Sequence, residues 1–432
     1  MSRPMGSPKG KDMPPQEPSG AIYWRALRHR NFRLFFIGQL LSMSGTWMHR
    51  VAEGWLAYRL SHSPLILGLV AFAGSAPAVF LSPLAGVVAD RVDRRRMLMV
   101  AQTAAMLHAF ILAVATLSGW IQPQGLVLFA FALGIINAFE NPARQSFFPQ
   151  LVPREDLMNA IALNATLVNM ARILGPSFAG LIVATYGEGY CFLANGASYL
   201  AVITSLSLMS LRPSRTEPPA SQWESLREGF HYARENVVVR SLLLLFAVMN
   251  LTGSPYLALL PMLAGSVLRV GAEGLGGLVT ASGLGALACS LVLAGQAPSP
   301  KLVRIVAGAS LTFGSALIGV SLSRHYALSL GILPFIGGSY ILILACTQTL
   351  LQNVVPDHLR GRVMSFYSLV FLGFPPLGSL LAGWIAEHLG VASTLCLGGS
   401  VCVIAGLSFA RHHRRIQHAA AEAISLLPGP LT

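Results

Sequence analysis

The chain of 432 residues is predicted to be an all-α membrane protein with twelve transmembrane helices in two pseudo-symmetric six-helix bundles. Three observations lead there. Hydrophobic residues make up 54% and charged residues 11% of the chain, with a mean hydropathy of +0.61, which excludes a fold surrounded by water. Apolar runs recur twelve times, each of about 20 residues or more, the length that crosses the hydrocarbon of a bilayer. The second half also repeats the first. A shift of 203 residues lays Val152-Pro153 on Val355-Pro356, Gly175 on Gly378, Gly180 on Gly383 and Gly187 on Gly390.

In chain order the first six runs fall at 34–58, 65–89, 97–118, 125–147, 158–185 and 190–211. The other six fall at 238–262, 274–296, 302–322, 326–351, 362–386 and 391–410. Leu, Ala, Gly and Phe fill them, without the alternation of barrel strands. They are read as helices because backbone polar groups find no water in lipid and must bond within the segment. Residues 1–24 are polar and rich in Pro and Gly, with no apolar leader, and are read as a disordered cytoplasmic tail. Residues 24–33 form a basic collar expected on the membrane surface. Residues 25–211 make the first bundle. The linker, 212–237, opens with Arg212-Pro213 and then sets Trp223, Leu226 and Phe230 on one helical face among Glu and Arg, an amphipathic helix. Residues 238–412 make the second bundle, and 413–432 a second cytoplasmic tail.

The net charge of +13 invites a nucleic-acid reading, which the distribution rejects. With the N-terminus inside, 25 of the 30 basic residues fall on the inner side, and only Arg59, Arg269 and Arg324 fall outside. That is the positive-inside pattern of a multi-pass protein of the bacterial cytoplasmic membrane, with both termini cytoplasmic. The five cysteines sit singly in or beside apolar runs, as packing residues. No metal-ligand spacing, phosphate-binding glycine loop or hydrolase motif is present, so no cofactor, ATP-driven pump or enzyme is expected.

Charges inside the spans point to function, because each costs about 2.5–3.5 kcal/mol to insert. The first half holds Arg50 and Glu53 in span 1, Glu140 in span 4 and Arg172 in span 5; the interiors of the second half hold none. At about 1.5 Å per residue, Arg50 and Glu53 lie in the outer half of the membrane and Arg172 near the midplane. Arg50 and Glu53 share a helix face and are placed to pair locally. The charges either tie helices together or serve transport, with Glu53 exchanging a proton and Arg172 meeting an anionic cargo. Asn164 and Asn169 in span 5, Asn250 and Tyr256 in span 7 and Tyr340 in span 10 are candidate cavity lining or interhelical hydrogen bonds. Gly253 and Pro255 are placed to break span 7. His49 and His108 read as locally hydrogen-bonded.

Between spans 2 and 3 the sequence runs Gly86-Val-Val-Ala-Asp90-Arg91-Val-Asp93-Arg94-Arg95-Arg96. This resembles the signature loop of the major facilitator superfamily. The resemblance implies an inner gate of Gly86, Asp90, Arg91 and Arg94, joined by Glu140 with Arg144, in which the glycine permits close packing. Asp93 stands where the family often has glycine, so the loop turn differs. Arg172-Ile-Leu-Gly175-Pro176-Ser-Phe-Ala-Gly180 resembles the superfamily's exporter signature, which implies outer-gate packing by Gly175, Pro176 and Gly180. Asn141-Pro142-Ala143-Arg144-Gln145 with Leu151-Val152-Pro153, and Trp223 through Phe230, resemble the enterobactin-exporter and macrolide-efflux branch.

The expectation is a monomeric secondary transporter working by alternating access. Its partners are a small, partly apolar molecule, the lipid bilayer and protons as coupling ion. An importer or facilitator, or a sensor that has lost transport, are the alternatives.

Overall fold

A computed structural model describes residues 24–209, 231–294 and 299–426. The tail 1–23, the expected linker helix over Trp223–Phe230 and the side chain of Asp90 lie outside the described residues. Twelve long helices follow in order: α1 (Arg30–Ser61), α2 (Pro64–Arg91), α3 (Arg94–Leu117), α4 (Pro123–Phe147), α5 (Leu157–Tyr186), α6 (Glu188–Leu208), α7 (Val237–Val267), α8 (Ala272–Ala294), α9 (Leu302–Leu322), α10 (Tyr326–Val354), α11 (Asp357–Leu389) and α12 (Val391–Leu426). Eleven are long and apolar enough to cross a membrane. The exception is α1, whose Arg50, Glu53 and flanking arginines lower its hydropathy; it packs as the twelfth, between α5 and α6. The last helix continues to Leu426, through most of the segment read as a tail.

Local chemistry sets the helix ends. Ser63 caps α2 by accepting from the Ile66 amide, with Pro64 in the first turn. Asp93 caps α3: its Oδ1 accepts the Arg96 amide at 2.8 Å. The signature loop has an acid there because that acid starts the next helix. Arg94 and Arg95 then donate to the Ser146 and Ser207 carbonyls near the ends of α4 and α6.

The two halves share one plan. In the first, α1 packs on α5 and α6, α2 on α4, and α3 on α4 and α6. In the second, α7 packs on α11 and α12, α8 on α10, and α9 on α10 and α12. The residues that repeat in sequence also repeat in role. Gly187 and Gly390 end α5 and α11 at φ 92° and φ 80°, a conformation that favours glycine. A Cβ on Gly175 would lie 2.6 Å from the Ser44 carbonyl oxygen of α1; one on Gly378 would lie 2.2 Å from the Leu251 oxygen of α7. Both glycines let the fifth helix of a half rest on its first.

Gly180 and Gly383 work across the halves, which meet at two seams, α5 with α8 and α2 with α11. A Cβ on Gly276 of α8 would stand 2.6 Å from the Pro176 oxygen and 2.9 Å from Gly180 Cα. A Cβ on Gly383 of α11 would stand 2.7 Å from the Pro64 oxygen and 3.0 Å from Gly68 Cα. Both seams close at the end of the bundle away from the chain termini, here the far end. There α7 also meets α1, where a Cβ on Gly265 would strike the Tyr58 ring. Near the terminal end a Cβ on Gly86 or Gly361, in the same two helices, would meet nothing within 4 Å. Gly86 therefore makes no close packing here, unlike the role its resemblance implied.

The expected surface collar docks onto protein. Arg25 and His29 pair with buried Asp156 at 2.9 and 2.6 Å, and the Ala26 amide donates to Asn159 Oδ1 at 2.9 Å. These contacts fix the entry of α1 against the start of α5.

Candidate functional site

Helix α7 is interrupted where Gly253, Pro255 and Pro261 fall. Wide turns at Met249–Gly253 and Leu263–Val267 flank a short helix, Tyr256–Met262. Proline cannot donate its backbone N–H, and the wide turns take up the mismatch. The break turns Tyr256 into the space between the halves and leaves Asn250 fully buried behind it.

That space is a cavity of about 410 Å³, within the range of small-molecule sites. Helices of both halves line it. Trp47, Arg50 and Glu53 come from α1, Asn137 from α4 and Arg172 from α5; Tyr256, Ser282, Tyr340 and Pro375 come from α7, α8, α10 and α11. Among the described lining residues the charges are Arg50, Glu53 and Arg172, all from the first half.

Trp47 organises the cations. The guanidinium carbons of Arg50 and Arg172 each lie 5.3 Å from its ring centroid. A cation over an indole face gains about 0.5–2 kcal/mol, which offsets part of the repulsion between the two arginines. Gly175 lets α5 close on α1 beneath Trp47, and the α8 backbone approaches from the other side: a Cβ on Gly283 would lie 3.5 Å from Arg172 Cγ. Arg172 thus stands at the seam itself. Glu53 is 9% exposed, and its Oε1 has no hydrogen-bond partner in the protein; nor does Arg172 Nε. Arg50 and Glu53, three residues apart, form no ion pair within 4 Å among the described residues. Arg50 leans on Trp47 instead of pairing locally.

The second half contributes neutral groups. Tyr256 and Ser282 hydroxyls bond to each other at 2.8 Å, and Tyr340 donates to Asn250 Oδ1 at 2.9 Å. Asn250 in turn donates to the Phe246 carbonyl, so it positions Tyr340 and does not line the cavity. Asn164 and Asn169 do not line it either; Asn169 bonds its own helix at Ala165. His49 contacts Asn195 at 3.3 Å and His108 the Phe129 carbonyl at 2.9 Å.

The groups expected at the inner gate lie at the terminal end. Glu140 pairs with Arg144 at 3.1 Å and accepts from Gln102 at 3.4 Å, while Arg144 also donates to Asn141. Arg91 is exposed. Of the expected outer-gate residues, Pro176 and Gly180 touch the second half, whereas Gly175 packs inside the first. A larger cleft of about 950 Å³ opens at the far end. Its Arg59 and Glu188 neutralise each other through a two-point ion pair of 2.8 and 3.0 Å, so the cavity between the halves is the better candidate.

Residues 21–431 match the family described as transmembrane secretion effector. The chain belongs to that family. It is a transporter of the major facilitator superfamily, in the branch that includes siderophore and drug exporters. It is 27% identical to the staphyloferrin A transporter of Staphylococcus aureus, over 86% of this chain and 94% of that one. It is also 27% identical to the enterobactin exporter EntS of Citrobacter koseri, over 88% and 91%. Among solved structures, a bacterial homologue of the human lysosomal transporter Spinster, inward-facing and unoccupied, shares the fold at a TM-score of 0.66 and 14% identity, over 96% of this chain and all of that one. The transporter is thus an integral, multi-pass membrane protein that handles a small molecule.

Proposed function

We propose that this transporter exports a small, partly apolar molecule, siderophore-like or drug-like, in exchange for protons. It works as a monomer in the bacterial cytoplasmic membrane, with both termini and the linker in the cytoplasm. The cavity is the observation that carries this reading: it is walled by both halves, which touch at the far end through Gly68–Gly383 and Gly180–Gly276. Rocking the halves about that cavity opens the far end and closes the terminal end. The Glu140–Arg144 pair and the signature loop with Asp90 serve as the inner gate in that movement. The name of the enterobactin exporter EntS supports the direction.

Glu53 is the proposed proton carrier. It is the acid among the described residues of the cavity wall, it is largely buried, and one of its oxygens lacks a protein partner. A carboxyl in that setting changes its charge when a proton arrives, which alters its attraction to Arg50 and Arg172. A proton moving down 100 mV supplies about 2.3 kcal/mol. The test is transport into inverted vesicles, whose outer face is the cytoplasmic one, under an imposed pH gradient. Wild-type transport is expected to follow the gradient, and Glu53→Gln to lose that dependence while still catalysing exchange of the same compound. Transport by Glu53→Gln that keeps the wild-type response to the gradient rules Glu53 out as carrier.

A further inference from the structure

We propose that Arg50 and Arg172, gathered on Trp47, form a seat for the anionic head of an organic acid, so that the cargo is a carboxylate-bearing molecule with an apolar body. This deepens the exporter reading above and rests on it. Two guanidinium groups share one indole ring, each 5.3 Å from its centroid. Among the described residues neither has a carboxylate oxygen within 4 Å, and Arg172 Nε has no acceptor. Against Glu53, the one carboxylate among the described lining residues, they leave one positive charge in excess. Holding such charge at membrane depth is costly, and a ligand bearing the opposite charge repays that cost when it binds.

The geometry narrows the ligand further. A guanidinium offers a planar fork of donors that matches the two oxygens of a carboxylate, which a point-like amine does not. Trp47 holds both forks beside the same volume, so one carboxylate meets both or two meet one each. Among the described residues the facing wall brings no charge. Tyr256 and Ser282 already bond to each other, and Tyr340 to Asn250, so that wall offers rings and carbon surface. It suits the apolar part of the molecule. The acid head therefore stays with the first half, and the body spans toward the second.

The experiment uses the full-length protein in lipid nanodiscs and three probes of one shape: 2-naphthoate, 2-naphthamide and 2-naphthylmethylammonium. Binding is read by titration calorimetry. We expect naphthoate to bind and the amide and the ammonium not to. Naphthoate should bind roughly tenfold more weakly, or worse, to Arg172→Gln and to Arg50→Gln, the loss of one charge-assisted contact. The variants Arg172→Lys and Arg50→Lys keep the charge without the fork and should fall between. They also keep the test decisive if a glutamine variant fails to fold. The proposal is overturned if the amide binds as well as the acid, if naphthoate does not bind, or if Arg172→Gln binds it like wild type. Transport is scored separately. A protein that binds naphthoate but moves no compound against a pH gradient loses the exporter reading and keeps the seat. One that exports only neutral or cationic compounds keeps the exporter reading and loses the seat.

Discussion

Trp47 fixes the positions of both cavity arginines, and Gly175 fixes Trp47. A methyl group on Gly175 would come within 2.5 Å of Trp47 Cβ and 2.6 Å of the Ser44 oxygen, so α1 and α5 would have to part. Gly175→Ala is expected to destabilise the protein by about 1–3 kcal/mol, the usual cost of overpacking, and to weaken transport by displacing Trp47. Thermal unfolding in detergent and efflux rate check the two effects; unchanged values for both would contradict this packing role. Arg50, Glu53 and Arg172 were legible in the sequence because charge is rare in an apolar run. Trp47 was not, since an aromatic in a membrane span reads as packing. Its one signal was a place three residues before Arg50, on the same face. Asn164 was misleading for a related reason. Its type suits a cavity, but it sits eight residues from Arg172, about 12 Å toward the terminal end.

At the level of elements, the sequence repeat carried more than it announced. The shift that aligned Gly175 with Gly378 and Gly180 with Gly383 picked out two different uses of glycine. The first pair rests α5 and α11 each on its own half, and the second rests them on the opposite half. The far-end seam also holds a charged latch that sequence could not reveal, because its partners are 324 residues apart. Glu387, at the end of α11, accepts the Ser63 hydroxyl at 2.7 Å and the Leu65 amide at 3.2 Å, and so caps the start of α2 from the other half. Two variants follow from this seam. Gly383→Val would wedge α2 and α11 apart and hold the far end open. Glu387→Gln would weaken the latch without the wedge. Labelling of a cysteine at Ser379, in the cavity wall, by an impermeant thiol reagent from the far side should rise strongly in the first and modestly in the second. Equal labelling in Gly383→Val and its parent would refute the seam as the closing surface.

For the whole molecule, length and hydropathy mark eleven of the twelve helices as spans, because lipid leaves a chain few other ways to satisfy its backbone. The weakest span by that measure, α1, is also the one that carries most of the cavity charge. A helix that must present Arg50 and Glu53 to the cavity between the halves cannot also be the most apolar. The proposed orientation rests on the placement of arginine and lysine. Fusing a reporter active only in the cytoplasm to each end should give signal from both; signal from neither would invert the proposed topology and the assignment of the two gates.

The division of the cavity, ionic groups on one side and neutral rings on the other, separates two decisions that most pockets make together. Mutating Tyr256, Ser282 or Tyr340 alters the contour a molecule must match and leaves the cavity's electrostatic sign alone. Diversification confined to the second half would retune which compounds fit, chain by chain, without rebuilding the part that recognises their charge.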